Sequence, residues 1–200
     1  MKGSILTNAG PKENRKESDF YPTPPEVTIA IMDFLNLKKG SKVWEPACGD
    51  GSMSTVIESY GHNVISSDIR KDGIYKNGIG GVDFLNTSEF KGVGYDAIIT
   101  NPPFCLSEEF IRMALKEADI VAMVLKSQYW HIRKSIKLFE ETKPNYVLPL
   151  TWRPDFLFNQ RKRGEQARPT MEVIWTVWTK SESPCIYKQL HKQNINKTLF

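Results

Sequence analysis

One stretch of this 200-residue chain constrains the fold more than any other: Tyr95-Asp96-Ala97-Ile98-Ile99-Thr100, followed at once by Asn101-Pro102-Pro103-Phe104. The short apolar, β-branched run predicts a strand buried on both faces, as in a parallel sheet covered by helices. Proline cannot donate to a sheet ladder, and Pro102 also drives Asn101 towards an extended backbone, so the strand stops there. A carboxamide, a backbone carbonyl and an aromatic ring are thereby held at the carboxyl end of a central strand, the edge where open α/β sheets bind ligands. A strand-ending loop whose Phe104 simply packs against the core is the plainer alternative.

The rest of the chain supplies such a sheet. Residues 1–19 are polar, with no apolar periodicity, and read as a flexible tail. In Phe20-Tyr21-Pro22-Thr23-Pro24-Pro25-Glu26, the spacing of Thr23 and Glu26 predicts a capping box with Pro24 at the first helical position. The helix that follows is expected to end at Lys38-Lys39-Gly40. Strands are expected at Lys42–Glu45 and Asn63–Ser67, a short one ending near Asp83-Phe84, then at 96–100, Ile120–Leu125, Tyr146–Leu150 and Met171–Trp178. Helical segments are expected at 52–60, 108–117 and 132–141. Strands alternating with helices imply βαβ units and a parallel sheet. No helical pattern lies between the last two strands, which predicts an antiparallel hairpin at one edge. A single domain over 20–180 and a basic tail over 181–200 complete the layout.

Net charge is +4, too small to name a partner by itself. Cys48, Cys105 and Cys185 are an odd set without paired or metal-like spacing, which reads as a reduced, cytoplasmic protein. No apolar run approaches the ~18 residues of a membrane span.

Glu45-Pro46-Ala47-Cys48-Gly49-Asp50-Gly51 joins the first strand to a helix. Its glycines permit unusual backbone angles and close approach of a ligand, and the helix behind it offers free N–H groups. The acids Glu45 and Asp50 suit a cationic ligand better than a pyrophosphate. Asp68, at the end of the second strand, stands where nucleotide folds place an acid for ribose hydroxyls. The plainer readings are a Gly-rich turn and a strand-end cap.

These segments, in this order, resemble a known family. Asn101-Pro102-Pro103-Phe104 resembles the D/N/S-P-P-Y/F/W signature of class I S-adenosylmethionine-dependent methyltransferases that act on amino groups, above all the DNA adenine-N6 enzymes. The glycine turn is similar to their E-P-A-C/G-x-G motif. Phe20-Tyr21-Pro22-Thr23-Pro24 resembles their leading F-x-T-P, and Asp83-Phe84 their D-F/I/V pair. The resemblance covers roughly residues 20–180. It implies a Rossmann-like class I methyltransferase fold, with a seven-stranded, mostly parallel sheet, an antiparallel edge hairpin and helices on both faces. It implies S-adenosylmethionine as cofactor, S-adenosylhomocysteine as product, and no metal. The cofactor-binding residues would be Phe20, Tyr21, Thr23, Glu45, Pro46, Ala47, Gly49, Gly51, Asp68, Ile69, Asp83, Phe84 and Asn101. The catalytic loop would be Asn101, Pro102, Pro103 and Phe104.

An exocyclic adenine amine is a poor nucleophile because its lone pair is delocalised into the ring. The Asn101 side-chain oxygen and the Pro102 carbonyl, accepting its two N–H groups, would localise that pair as preorganised dipoles. Phe104 would stack on a flipped-out base, with Phe156 on the second face. Core packing is the competing role for Phe156. Arg153, Arg161, Lys162, Arg163 and Arg168 lie in the long connection 151–170 and would touch DNA phosphates; a solvated face is the alternative.

The family's sizeable target-recognition domain has no counterpart segment here, which is similar to compact phage or prophage enzymes, acting as monomer or homodimer. Two other functions stay open. One is a methyltransferase acting on RNA or on a protein glutamine. The other is a non-catalytic nucleic-acid-binding module of the same fold.

Overall fold

The expected alternation of strands and helices is realised in the computed structural model, which describes residues 21–72, 74–133, 135–158, 169 and 171–193. In chain order the elements are α1 (Pro25–Leu35), β1 (Lys42–Glu45), α2 (Ser52–Ser59), β2 (Asn63–Asp68), β3 (Ile79–Gly80), β4 (Tyr95–Thr100), α3 (Ser107–Glu117), β5 (Ala118–Lys126), α4 (Ser135–Glu141), β6 (Tyr146–Pro149), β7 (Val173–Thr179) and β8 (Ile186–Tyr187). They form one eight-stranded sheet in the order β3-β2-β1-β4-β5-β7-β6-β8.

Strands β3, β2, β1, β4 and β5 run parallel, and β7 lies antiparallel between β5 and β6. The irregular end expected from the missing crossover helix is therefore present, with β7 inserted rather than at the rim. The rim is an eighth strand that the sequence reading did not anticipate. β8 pairs parallel with β6, inside the segment read as a tail, and its two residues are too few to carry any periodicity.

Burial on both faces follows from the alternation of side chains along each strand. On one face Val43, Ala97, Ile99, Ala122 and Val124 pack with Val27 and Ile31 of α1 and Met53 and Ile57 of α2. On the other, Trp44, Ile98, Val121, Met123 and Leu125 pack with Phe110 and Ile111 of α3 and Leu138 of α4. Buried tryptophans need a partner for their N–H. Trp44 Nε1 donates to Ser67 Oγ at 2.9 Å, and Trp175 Nε1 donates to the carbonyl of Val27 at 3.0 Å, tying β7 to α1.

Three local expectations change. The capping box does not form: Pro24 is the residue before α1, no side chain caps the helix, and Pro25 takes the first helical position. Thr23 is instead buried and hydrogen-bonded elsewhere, as described below. α1 ends earlier than Lys38-Lys39-Gly40, because Asn36 adopts the left-handed conformation (φ 44°) and its N–H closes on the carbonyl of Met32. This is the usual way a helix satisfies its last carbonyls, and asparagine tolerates it. The third strand is only Ile79–Gly80, and Asp83-Phe84 lies in the turn beyond it.

Candidate active site

The carboxyl ends of β1, β2 and β4 lie side by side, with Glu45 level with Ser66 and Trp44 level with Ile98. The chain's path reverses between β1 and β4, since the strands before β4 build towards β3 and those after it towards β8. A crevice opens at such a switch point. Here it is a cavity of about 850 Å³, counting the space open to solvent.

Its wall collects nearly everything singled out in the sequence: Tyr21, Thr23, Glu45, Pro46, Ala47, Asp68, Ile69, Asp83, Phe84, Asn101, Pro102, Pro103 and Phe104. Tyr21 and Asn101, 80 positions apart, thus meet at one edge of the sheet. Phe20, Arg161, Lys162, Arg163 and Arg168 lie outside the described residues.

Asn101 is half-buried at the end of β4. Its Nδ2 donates to Thr23 Oγ1 at 3.0 Å and makes a longer contact, 3.5 Å, with the carbonyl of Tyr21. Its Oδ1 is buried and accepts no hydrogen bond from the described residues. A buried acceptor left without a donor costs free energy, on the order of 1–3 kcal/mol, and calls for an explanation. Pro102 is buried behind it, and the chain turns into a 3-10 turn at Phe104–Leu106 that leads into α3.

At the end of β1, Glu45 is 2 % exposed and accepts a hydrogen bond from the Ser54 hydroxyl, which in turn contacts Ser66 Oγ at 2.6 Å. Burial pushes its carboxyl up to about 8; the Ser54 hydrogen bond opposes this, and Asp50 and Asp68 nearby add to it. Burial, with Glu45 and Asp68 beside it, likewise pushes the Cys48 thiol up to about 12, so the thiol stays protonated and is no nucleophile at neutral pH.

Asp68, at the end of β2, uses both oxygens within the chain. Oδ2 accepts from the Gly49 N–H at 2.8 Å, and Oδ1 accepts from the N–H and Nε of Arg70 at 2.9 and 3.1 Å. It therefore shapes the glycine turn while lining the cavity. Gly49 and Gly51 have φ of 56° and 83°, open to glycine at no steric cost. Neither lines the cavity. The expectation that Gly51 makes room for a ligand is corrected: a Cβ there would stand 2.2 Å from the ring of Tyr75, so the glycine admits that ring.

Asp83 caps its turn, accepting from the N–H of Leu85 and from Asn86 Nδ2 at 3.0 and 2.8 Å. Phe84 both lines the cavity and packs on Trp44 and Phe110, with centroids at 4.9 and 4.8 Å.

Two DNA-side expectations fare differently. Phe156 is 4 % exposed and sits in the core face shared with α1 and α2, away from the cavity wall. The core-packing alternative describes it, its ring lying in the buried cluster that includes Val173 and Trp175. Arg153 is exposed but tied to Glu172, with Nε at 3.0 Å and Nη2 at 2.5 Å from Oε1. Sequence reasoning missed Arg70, Met53 and Leu106 on the wall, because nothing in their spacing distinguishes them from ordinary loop and helix residues.

Four carboxyl groups, Glu45, Asp50, Asp68 and Asp83, border the cavity, against a single cation among the lining residues, Arg70. Such a wall favours a ligand bearing positive charge and hydroxyls.

No family model matches the chain. A 45-residue stretch is 49 % identical to the methylase subunit of the type I restriction enzyme MjaVII of Methanocaldococcus jannaschii, covering 22 % of this chain and 7 % of that protein. Among solved structures, the methyltransferase subunit of a type I restriction-modification system from Streptococcus thermophilus superposes with a TM-score of 0.62 at 14 % identity, over 84 % of this chain and 47 % of that one. A dimethyladenosine transferase from Plasmodium falciparum superposes with a TM-score of 0.56 at 16 % identity, over 80 % of this chain and 63 % of that one. The chain thus spans under half the length of the restriction subunits it matches. Strand order, the inserted antiparallel β7 and these likenesses agree: the chain has the class I S-adenosylmethionine-dependent methyltransferase fold.

Proposed function

We propose that the chain transfers a methyl group from S-adenosylmethionine to the exocyclic N6 amine of adenine in DNA, acting on a flipped-out base in the cytoplasm. The observation that carries this reading is the state of Asn101. Its amide nitrogen is committed to Thr23, and its amide oxygen is buried on the cavity wall with no donor among the described residues. An oxygen held in that way is preorganised to accept an N–H from an incoming amine.

The acid-lined cavity fits the cofactor. Glu45, Asp50 and Asp68 would face its positive charge and hydroxyls, Asp83 and Phe84 its adenine, and Tyr21 and Thr23 would cover it. When bound, it supplies an electrophilic methyl group on a sulfonium. The chain's own residues do the rest. Asn101 Oδ1 and the Pro102 carbonyl take the two N–H groups of the target amine, shifting its lone pair from the ring towards the methyl group. These dipoles stabilise the positive charge that grows on nitrogen. Phe104 replaces the stacking a base loses when it leaves the duplex. No strong base is required, since the methylated ammonium loses its proton readily. Alignment supplies the remainder of the rate.

The likeness to a type I restriction methylase subunit and to a restriction-modification methyltransferase subunit favours DNA as the substrate. The likeness to a dimethyladenosine transferase supports adenine in RNA as a second reading, because the same acceptors would serve it. Incubation with labelled cofactor and duplex DNA, single-stranded DNA, RNA or protein separates the readings. N6-methyladenine in DNA is expected. Label confined to RNA or protein would reassign the substrate.

A further inference from the structure

Lys126 ends β5, beside β4, and so opens onto the same edge of the sheet as Asn101. Its ammonium lies over the ring of Phe104, 4.4 Å from the centroid. The neighbouring cations of this edge are already engaged by carboxylates, Arg70 by Asp68 and Arg153 by Glu172. Lys126 makes no ion pair among the described residues. A half-buried cation without a carboxylate, at the mouth of a site that takes a polyanion, retains its charge for that polyanion. Its contact with the ring is weak, as cation–π contacts outside a dry interior are, so a phosphate can draw the ammonium off at little cost. Its flexible four-carbon stem lets it do so from the end of a rigid strand.

We propose that Lys126 is a nucleic-acid contact, its ammonium resting over the Phe104 ring in the free chain and moving to a backbone phosphate beside the target nucleotide when nucleic acid binds. The inference rests on the DNA reading above. It also gives the ring a partner before nucleic acid arrives, from a group that does not line the cavity. The charge sits one residue beyond the apolar run Val121–Leu125, where sequence gives no sign of it.

The test is the binding of a short labelled DNA duplex of mixed sequence across a salt series, by wild type, Lys126→Gln, Lys126→Met and Lys126→Arg, with cofactor affinity measured in parallel by calorimetry. Removing one phosphate contact should lower the slope of log affinity against log salt by about one unit. At low salt, affinity should fall about three- to tenfold in Lys126→Gln and Lys126→Met. Lys126→Arg should keep the wild-type slope, and all variants the wild-type cofactor affinity. Lys126→Met keeps the length of the stem, so the result does not hang on the folding of one variant. If wild type binds DNA and the neutral variants show its slope, the contact is overturned while the DNA reading stands. If wild type binds no DNA, both fall. Loss of cofactor affinity in the neutral variants would place Lys126 in the cofactor half of the site and overturn the proposal.

Discussion

Asn101 Nδ2 and Thr23 Oγ1 are 3.0 Å apart, so the amide at the tip of β4 is oriented by a hydroxyl from the segment that precedes α1. An amide can turn over about its last torsion, exchanging oxygen for nitrogen. The carbonyl of Tyr21, which can only accept, sets the nitrogen on that side, and the hydroxyl of Thr23 accepts from the same nitrogen, so Oδ1 is left over. Thr23→Val keeps the shape and removes the acceptor. Methyl transfer at saturating cofactor is expected to slow by about five- to tenfold, in line with the ~1–1.5 kcal/mol of a hydrogen bond. Wild-type turnover in Thr23→Val would show that the hydroxyl does not orient the amide.

Asn101→Ala should remain folded and bind cofactor and DNA, with turnover reduced by about 10²–10³, the usual effect of losing one preorganised polar partner at a developing charge. Asn101→Asp keeps an acceptor and should retain partial activity. Rate constants under saturating conditions, together with both dissociation constants, decide the matter. Near wild-type turnover in Asn101→Ala would refute the mechanism.

Asp68 acts on the glycine turn as well as on the cavity. Its carboxylate holds the Gly49 N–H and Arg70 as well as lining the cavity. Asp68→Ala should weaken cofactor binding about ten- to a hundredfold, the worth of a charge-assisted hydrogen bond. Calorimetric titration measures this, and unchanged affinity would remove Asp68 from the site.

Gly51→Ala tests the glycine turn through stability. A residue with a Cβ at φ 83° costs about 1–2 kcal/mol, and the overlap with Tyr75 adds to it. The urea midpoint of unfolding should fall accordingly, and Tyr75→Ala in the same chain should recover part of the loss. A Gly51→Ala variant as stable as wild type would mean that the turn rearranges freely.

Glu45 gives the site a pH dependence whose sign is fixed. Its carboxyl is raised from 4.5 to about 8 by burial, so the folded chain holds a proton that the unfolded chain has released. Stability from this group is complete below about 4.5 and declines as pH rises towards about 8. A cationic ligand favours the ionised form, so cofactor affinity should rise over the same window. Glu45→Gln should lose both trends. Denaturant unfolding and calorimetry at several pH values compare the two proteins, and parallel profiles would show that Glu45 does not titrate there.

The motifs were legible because they combine residue types with opposing demands. Asn101-Pro102-Pro103 can only end a strand, and Glu45 to Gly51 can only turn one into a helix, so both were placed at the edge where they are found. What was not legible depends on tertiary partners. Phe156 has the composition of a base-stacking residue, and only the face of the sheet it meets makes it core. Thr23 and Glu26 have the spacing of a capping box, but Pro25 starts the helix and Asn101 claims the hydroxyl. Gly51 has one obvious reason to be glycine at a ligand site and a different actual one in Tyr75, 24 residues on in a segment without periodicity. Lys126 is chemically ordinary until its neighbour across the strand end is known.

The hydrogen bond from Trp175 Nε1 to the carbonyl of Val27 joins positions 148 apart. It bears on the order in which a growing chain can become competent. α1 is made well before β7 and lacks its final berth until that strand is in place, and Thr23 reaches Asn101 only once α1 is docked. A nascent or truncated chain ending before Val173 would therefore lack more than a strand near the rim. It would leave the segment before α1 without its seat, and the Asn101 amide without its guide.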